Sequence, residues 1–268
     1  MKPDKSIDEI PLGKYIENPK INKTLTIGIC VRNCQKYLKS NFIKLNEISN
    51  LFKKTHIVIY ENGSSDASLE MLRKFAEENK HLILIHEDYQ IDKYHRTVRL
   101  ARGRNICLNI AKKINNDIYI VMDFDDVIKK LDYKNVESSF NQKFNWGGLF
   151  GNQKGKYYDI WALRTFGAWL DYDYHHIYDY LTQDISNSII KGIYHKIIIS
   201  SKNRNVPKDS IIKVKSAFGG IGIYKLSNIG DSYYYGWKNN KESCEHVHFN
   251  LQINKNSDLY IIGNLITY

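Results

Sequence analysis

Apolar positions along this chain fall into two rhythms that alternate through its first half. Leu25 to Val31 (LTIGICV) is a short apolar, β-branched run, the mark of a buried strand. From Gln35 to Phe52, the residues Leu38, Phe42, Leu45, Ile48 and Phe52 recur every three or four positions and share one helical face. His56 to Tyr60 (HIVIY) returns to the strand pattern. The polar turn ENGSSD follows, then Leu69, Leu72, Phe75 and Ala76 mark a second helix, with Asp66 or Ser68 as N-cap. Leu82 to His86 (LILIH) is a third strand. A third helix spans 102–114, with Cys107, Ile110, Ala111 and Ile114 on one face, and IYIVM from Ile118 is a fourth strand.

This alternation predicts parallel β-α-β units, hence an α/β fold with a mainly parallel sheet flanked by helices. Ligands of such sheets lie in the crevice beyond the carboxyl ends of the strands. The polar residues that end each strand are Arg32 and Asn33, Glu61 to Asp66, and Asp123 to Asp126. The second half is less periodic. It holds an aromatic segment (YYDIWALRTFGAWLDYDYHHIYDYL), a strand-like KIIIS, a glycine cluster (SAFGGIGIYK) and then CEHVHFN. These read as extra strands and loops closing over the crevice. Residues 1–23 are polar and read as an N-terminal arm, and 24–268 as a single domain.

Charge adds one constraint. Lys and Arg number 39 against 29 acids, a net charge of +10 that favours anionic ligands. No basic stripe interleaved with aromatics is present, so no nucleic-acid partner is expected. The four cysteines are scattered, which predicts no disulfide framework and fits a reducing compartment. The opening MKPDKSIDEIPLGKY has no apolar run, so no secretory signal and no membrane-spanning segment are expected. The resulting expectation is a soluble cytoplasmic protein, with peripheral membrane contact left open.

Candidate chemistry concentrates at the strand ends. Asp123 and Asp125, two apart at the end of a strand, would project their carboxylates to one side and seat a Mg²⁺ or Mn²⁺ ion. The competing reading is an N-cap for a helix after the strand. In ENGSSDAS, Gly63 allows a tight turn, and Glu61 and Asn62 would read a nucleoside; the competing reading is a plain β-α loop. Arg102 and Arg104, taken as the start of the third helix, oppose its dipole and favour an anionic partner, unless they simply pair with nearby acids. Cys244-Glu245-His246-Val247-His248, taken as a strand, has three readings: a zinc site, a histidine joining the Asp cation site beside Glu245 as general base, or a buried strand. The aromatics read mainly as core, with sugar stacking as the functional option. The glycines of SAFGGIGIY allow close backbone approach to a ligand or a tight turn.

Taken in order, VRNCQKYL, ENGSSDAS, GRNICLNIA and MDFDD resemble the four landmarks of GT-A glycosyltransferases, most closely family 2. More loosely, YYDIWALR, SAFGGIGIY and CEHVHFN are similar to fungal capsule-associated mannosyltransferases. The resemblance implies a GT-A fold with a nucleotide-binding half (24–128) and an acceptor-binding half (129–268). It implies sugar transfer with inversion from a UDP- or GDP-linked donor to a carbohydrate, lipid or protein hydroxyl, with Mn²⁺ or Mg²⁺ as cofactor. By it, Asp125 is the main metal ligand and Asp123 contacts the ribose or the metal, with His246 or His248 as a further ligand. Arg32, Asn33, Glu61, Asn62, Asp66 and Arg104 line the nucleotide side. Glu245 is the catalytic base, and Asp159, Trp161, Gly219 and Gly220 meet the acceptor. Glu61-Asn62 departs from the family's usual Asp-Asp, and the Gln-x-x-Arg-Trp motif of processive members is absent. A sugar nucleotidyltransferase would need a glycine-rich loop after the first strand, and VRNCQKYL has no glycine. A non-catalytic carbohydrate- or partner-binding domain is the other alternative, opposed by the intact Asp123, Asp125 and Glu245.

Overall fold

A computed structural model describes residues 16–88, 93–167 and 169–268. Strand β1 (Ile21–Val31) leads to helix α1 (Gln35–Ser49), β2 (Phe52–Glu61) to α2 (Ser68–Glu78), and β3 (Leu82–His86) to α3 (Arg96–Ile114). Then come β4 (Ile118–Met122), α4 (Tyr133–Ser139), β5 (Gly148–Asn152), β6 (Arg164–Thr165), α5 (Tyr174–Thr182) and α6 (Ser188–Lys202). The chain closes with β7 (Ile211–Ser216), β8 (Ile221–Lys225), α7 (Leu226–Ile229), the two-residue strands β9 (Trp237–Lys238) and β10 (Lys241–Glu242), α8 (Glu245–Ile253) and β11 (Leu259–Ile266).

Nine strands form one sheet in the order β3-β2-β1-β4-β8-β5-β11-β7-β6. Only β7 and β8 run against the other strands. Because β8 lies between β4 and β5, segments distant in sequence share one continuous sheet. Both faces of β4 are buried, as its unbroken apolar run requires. Ile118, Ile120 and Met122 pack toward α1 and α4, while Tyr119 and Val121 pack toward α3 and α8.

Several boundaries differ from the sequence expectation. Of the expected arm, residues 1–15 lie outside the described residues, and Ile21 to Lys23 already belong to β1, where Ile21 pairs with Phe52. Phe52 therefore opens β2 instead of extending the helix, and its buried ring meets Phe140 edge-on at 5.4 Å. Helix α3 begins six residues before the expected start, so Arg102 and Arg104 lie within it. KIIIS is not a strand but part of α6, whose start is capped by Asn187 accepting from the Ile189 and Ile190 amides. CEHVHFN is also helical: Glu245 opens α8, so Cys244, His246 and His248 no longer share one face.

Candidate active site

The ends of β1, β2 and β4 meet α3 around a crevice of about 300 Å³ lined by Arg32, Asn33, Asn62, Arg96, Arg99, Asp123 and Asp125. A larger hollow, about 700 Å³, opens at the other end of these strands near Lys23, Asp117 and Trp146. Its lysines are occupied: Lys23 pairs with Asp117 at 3.8 Å, Lys225 bonds Asn145 Oδ1 and Lys112 bonds the Ser232 carbonyl. The smaller crevice is where strand-end chemistry gathers.

The loops after β1 and β2 brace each other. Asn33 sits at φ 53°, in the left-handed region that asparagine tolerates, and its Oδ1 accepts from the Ser65 amide at 2.8 Å. Its own amide donates to Ser64 Oγ at 2.9 Å. Asp66 accepts from the Gln35 and Ser68 amides, fixing the starts of α1 and α2. Glu61 is wholly buried: Oε1 accepts from the Ser64 amide at 2.6 Å and Oε2 pairs with His86 Nδ1. Its carboxylate is spent inside the protein and is not offered to the crevice. Asn62 lines the crevice in its place, so the loop reading of ENGSSD applies to Glu61 and Asp66.

At the end of β4, Phe124 turns into the core against Phe42, while Asp123 and Asp125 line the crevice. Asp125 does what the competing reading expected: one oxygen accepts from the Val127 amide at 3.0 Å, capping the single turn 126–128. Asp123 is fixed through its backbone, its amide donating to the Gly220 carbonyl at 3.0 Å. The neighbouring Gly219 amide donates to Asp159 Oδ2 at 2.9 Å. Gly219 and Gly220 have φ of +62° and +89°, and a Cβ on Gly219 would lie 2.5 Å from the Gly151 carbonyl oxygen. One glycine turn thus holds Asp123 and Asp159 close together. Burial, opposed by Arg104 and reinforced by Asp125 and Asp159, pushes the Asp123 carboxyl up to about 7. Its side chain is 31 % exposed, but that exposure is to the floor of the crevice. Burial also raises the Asp159 carboxyl.

Arginines face these acids. Arg96 and Arg99 open α3 and line the crevice, where cations oppose the helix dipole and favour a bound anion. That argument, first applied to Arg102 and Arg104, belongs to this pair. Sequence reading missed them, although arginines at 96, 99 and 102 stand at three-residue spacing. Arg102 is instead a structural clamp, bonding both Glu87 oxygens at 2.8 and 3.0 Å. Arg104 is buried over the Phe218 ring, with Nη2 3.4 Å from Asp123 Oδ1 and Nε 3.0 Å from Glu245 Oε1, an ion pair not aligned as a hydrogen bond.

The remaining expected residues divide. Glu245 is only 3 % exposed. His246 is buried, its ring stacked 3.7 Å from Phe218, and its pKa is driven well down by burial and by Arg104 and Arg96. His248 bonds Ser243 Oγ at 2.9 Å. Among the described residues, no three His, Cys, Asp or Glu side chains gather as a metal site. Trp161 packs beside His175 at 4.6 Å, two residues beyond Asp159.

Comparison with known proteins accords with this geometry. Residues 26–203 match the family described as Glycosyl transferase family 2. No curated protein matches the chain in a sequence search. Among solved structures, Staphylococcus aureus TarS 1-349 in complex with UDP is similar over 90 % of this chain and 58 % of its own, with 13 % identity and a TM-score of 0.52. The same protein in complex with UDP-GlcNAc matches over 90 % of this chain and 56 % of its own, at 13 % identity and a TM-score of 0.50. This likeness shows a shared GT-A fold, and the chain spans less than two thirds of the length of either.

Proposed function

We propose, since the chain belongs to glycosyl transferase family 2, that its crevice binds a nucleoside-diphosphate sugar and passes the sugar to an acceptor hydroxyl with inversion. The observation that carries this is the pair Asp123 and Asp125 lining one crevice with Arg96 and Arg99, at the carboxyl ends of parallel strands. The TarS complexes with UDP and UDP-GlcNAc support a uridine donor, with a GDP donor as the other option. The acceptor is a carbohydrate, lipid or protein hydroxyl.

Asp123 and Asp125 fit a divalent cation. A carboxyl raised to about 7 by burial and by two neighbouring acids is a group that a cation would relieve, and Asp125 has one oxygen beyond its cap. Held by Asp123 and Asp125, Mn²⁺ or Mg²⁺ would supply positive charge against that developing on the departing diphosphate. Arg96 and Arg99 hold the diphosphate, and Asn62 and Arg32 border the nucleoside. The acceptor oxygen forms its bond to the anomeric carbon as the bond to the diphosphate oxygen breaks.

The acceptor's proton needs a carboxylate within reach. Glu245, the expected base, is buried and held by Arg104, which favours a role as the anchor of that arginine. Asp159 is half-buried beside Asp123, its Oδ2 accepting from the Gly219 amide at 2.9 Å and its Oδ1 from the Ala162 amide at 3.4 Å, and burial raises its carboxyl above the ordinary carboxylate value. We therefore assign proton acceptance to Asp159. Calorimetry with UDP- and GDP-sugars, with and without Mn²⁺, tests the donor: cation-dependent binding is expected, and absence of binding under every condition removes the reading. Asp159→Asn should keep donor binding and lose turnover. Retained turnover there, with turnover lost in a folded, donor-binding Glu245→Gln protein, returns the role to Glu245.

A further inference from the structure

Residues 231–237 (DSYYYGW) alternate without a break: Ser232, Tyr234 and Gly236 are buried, while Asp231, Tyr233, Tyr235 and Trp237 are exposed. The inner side is fastened along helix α3 from its last turn to its first. Lys112 donates to the Ser232 carbonyl at 3.2 Å. Asn105 and Tyr234 exchange two bonds, the Tyr234 amide donating to Oδ1 at 2.8 Å and Nδ2 donating to the Tyr234 carbonyl at 2.9 Å. Thr97 Oγ1 donates to the Gly236 carbonyl at 2.7 Å, and a Cβ on Gly236 would collide with the Thr97 backbone. Tyr234 also stacks on Phe249 in the core at 4.0 Å. These contacts fix the segment, and so fix which rings face outward. Tyr233, Tyr235 and Trp237 are 43 %, 47 % and 40 % exposed. The two tyrosine rings lie 4.5 Å apart with their hydroxyls bonded, and Trp237 leans on His95 at 4.6 Å. The result is an aromatic track on a pinned backbone.

Place and chemistry decide what covers it. Trp237 meets His95 and Gly236 meets Thr97, the two neighbours of crevice-lining Arg96, so the track ends at the mouth of the crevice. The β9–β10 turn locks that end. Asn239 and Asn240, at φ 51° and 58°, fold the chain back so that Glu242 accepts from the Thr97 amide and hydroxyl. Apart from the three rings, every exposed residue of 231–241 is charged or amide-bearing, with no aliphatic among them. A lipid chain or an apolar protein face calls for aliphatic surface. A pyranose offers an apolar C–H face to a ring and hydroxyls to the polar groups around it, which matches rings that carry polar tips. We infer that Tyr233, Tyr235 and Trp237 form an acceptor subsite, holding a saccharide chain whose end reaches the crevice. This rests on the sugar-transfer reading and narrows its acceptor to carbohydrate.

Calorimetric titration of the full chain with glucose, mannose and N-acetylglucosamine oligomers of one to four units tests the track. Donor and metal are left out, so a failed donor titration would remove the transfer reading without altering this measurement. At least one series should bind, the tetramer more tightly than the monomer. A Tyr233→Ala, Tyr235→Ala, Trp237→Ala protein should lose about fivefold in affinity for each ring removed, while Tyr233→Phe with Tyr235→Phe should keep most of it. The alanine variant should melt close to wild type, since the anchoring bonds are to backbone. Should it fail to fold, Trp237→Ala alone reads the same loss at one ring. No wild-type binding in any series, or undiminished binding once the rings are removed, overturns the inference. So does a wild-type dimer on size-exclusion chromatography that the alanine variant turns into monomer.

Discussion

Arg104 and Glu245 form a buried ion pair, Nε to Oε1 3.0 Å, with side chains 6 % and 4 % exposed, and the same guanidinium reaches Asp123 at 3.4 Å. Helix α3 and helix α8 are thereby tied to the end of β4. Removing one member of such a pair leaves a charge without compensation. Arg104→Met should cost about 3–5 kcal/mol of unfolding free energy. Arg104→Met combined with Glu245→Gln should cost less than the two single changes summed. A denaturant-unfolding double-mutant cycle with no coupling would show that the two residues are energetically independent.

Asp125 caps the turn 126–128, and the proposed cation site gives it a second role that one substitution separates. Asparagine caps a helix start as well as aspartate does, so Asp125→Asn should change stability by no more than a few tenths of a kcal/mol. The lost charge should weaken cation binding and lower transfer on the order of 100-fold. Thermal melts together with transfer rates check both. A stable protein with near wild-type transfer removes Asp125 from the cation site.

Arg96 and Arg99 line the crevice at the first turn of α3. Replacing either with Gln should raise the donor's dissociation constant roughly tenfold or more, as expected for charge-assisted bonds to phosphate. The wild-type affinity should fall with added salt more steeply than that of the variants. Titration of nucleoside diphosphate at two ionic strengths measures both effects.

The Gly220 turn sets the position of Asp123, so a methyl group there should act on both stability and chemistry. At φ +89° an alanine Cβ would stand 2.6 Å from Val127 Cγ1. Gly220→Ala should destabilise the fold by about 2 kcal/mol from backbone strain alone and reduce cation affinity. Unfolding midpoints and Mn²⁺ calorimetry report the two losses separately.

His56 predicts a pH dependence away from the crevice. His56 is a buried residue of β2; its Nδ1 lies 3.1 Å from Asn116 Nδ2, and burial followed by Lys54 and His81 lowers its pKa to about 4. The folded state therefore binds fewer protons than the unfolded chain between pH 6.5 and about 4. The neutral ring's contribution is fully present above 6.5 and is lost as pH falls through about 4. The loss is on the order of 3 kcal/mol. The wild-type minus His56→Gln difference in stability should shrink over that window, and a constant difference would dismiss His56 as the source.

The amino-acid sequence alone determined the first half of the sheet and where its chemistry lies. Unbroken apolar runs such as IYIVM must be buried on both faces, and the polar residues that end them must then surface together at one edge. It also placed Asp123 and Asp125 there, because period-two geometry is a local property. Tertiary structure decided the rest. KIIIS and CEHVHFN are short enough to suit strand or helix, and caps and packing partners distant in sequence made both helical. Glu61 looked like a ligand from its position, yet its carboxylate is consumed by Ser64 and His86, 3 and 25 residues away. Asp159 met Asp123 only through a glycine turn about 60 residues downstream of Asp159, at Gly219 and Gly220. Local patterns set which face of an element is apolar, but the pairing of buried charges depends on contacts between elements, and those exist only once the sheet is assembled.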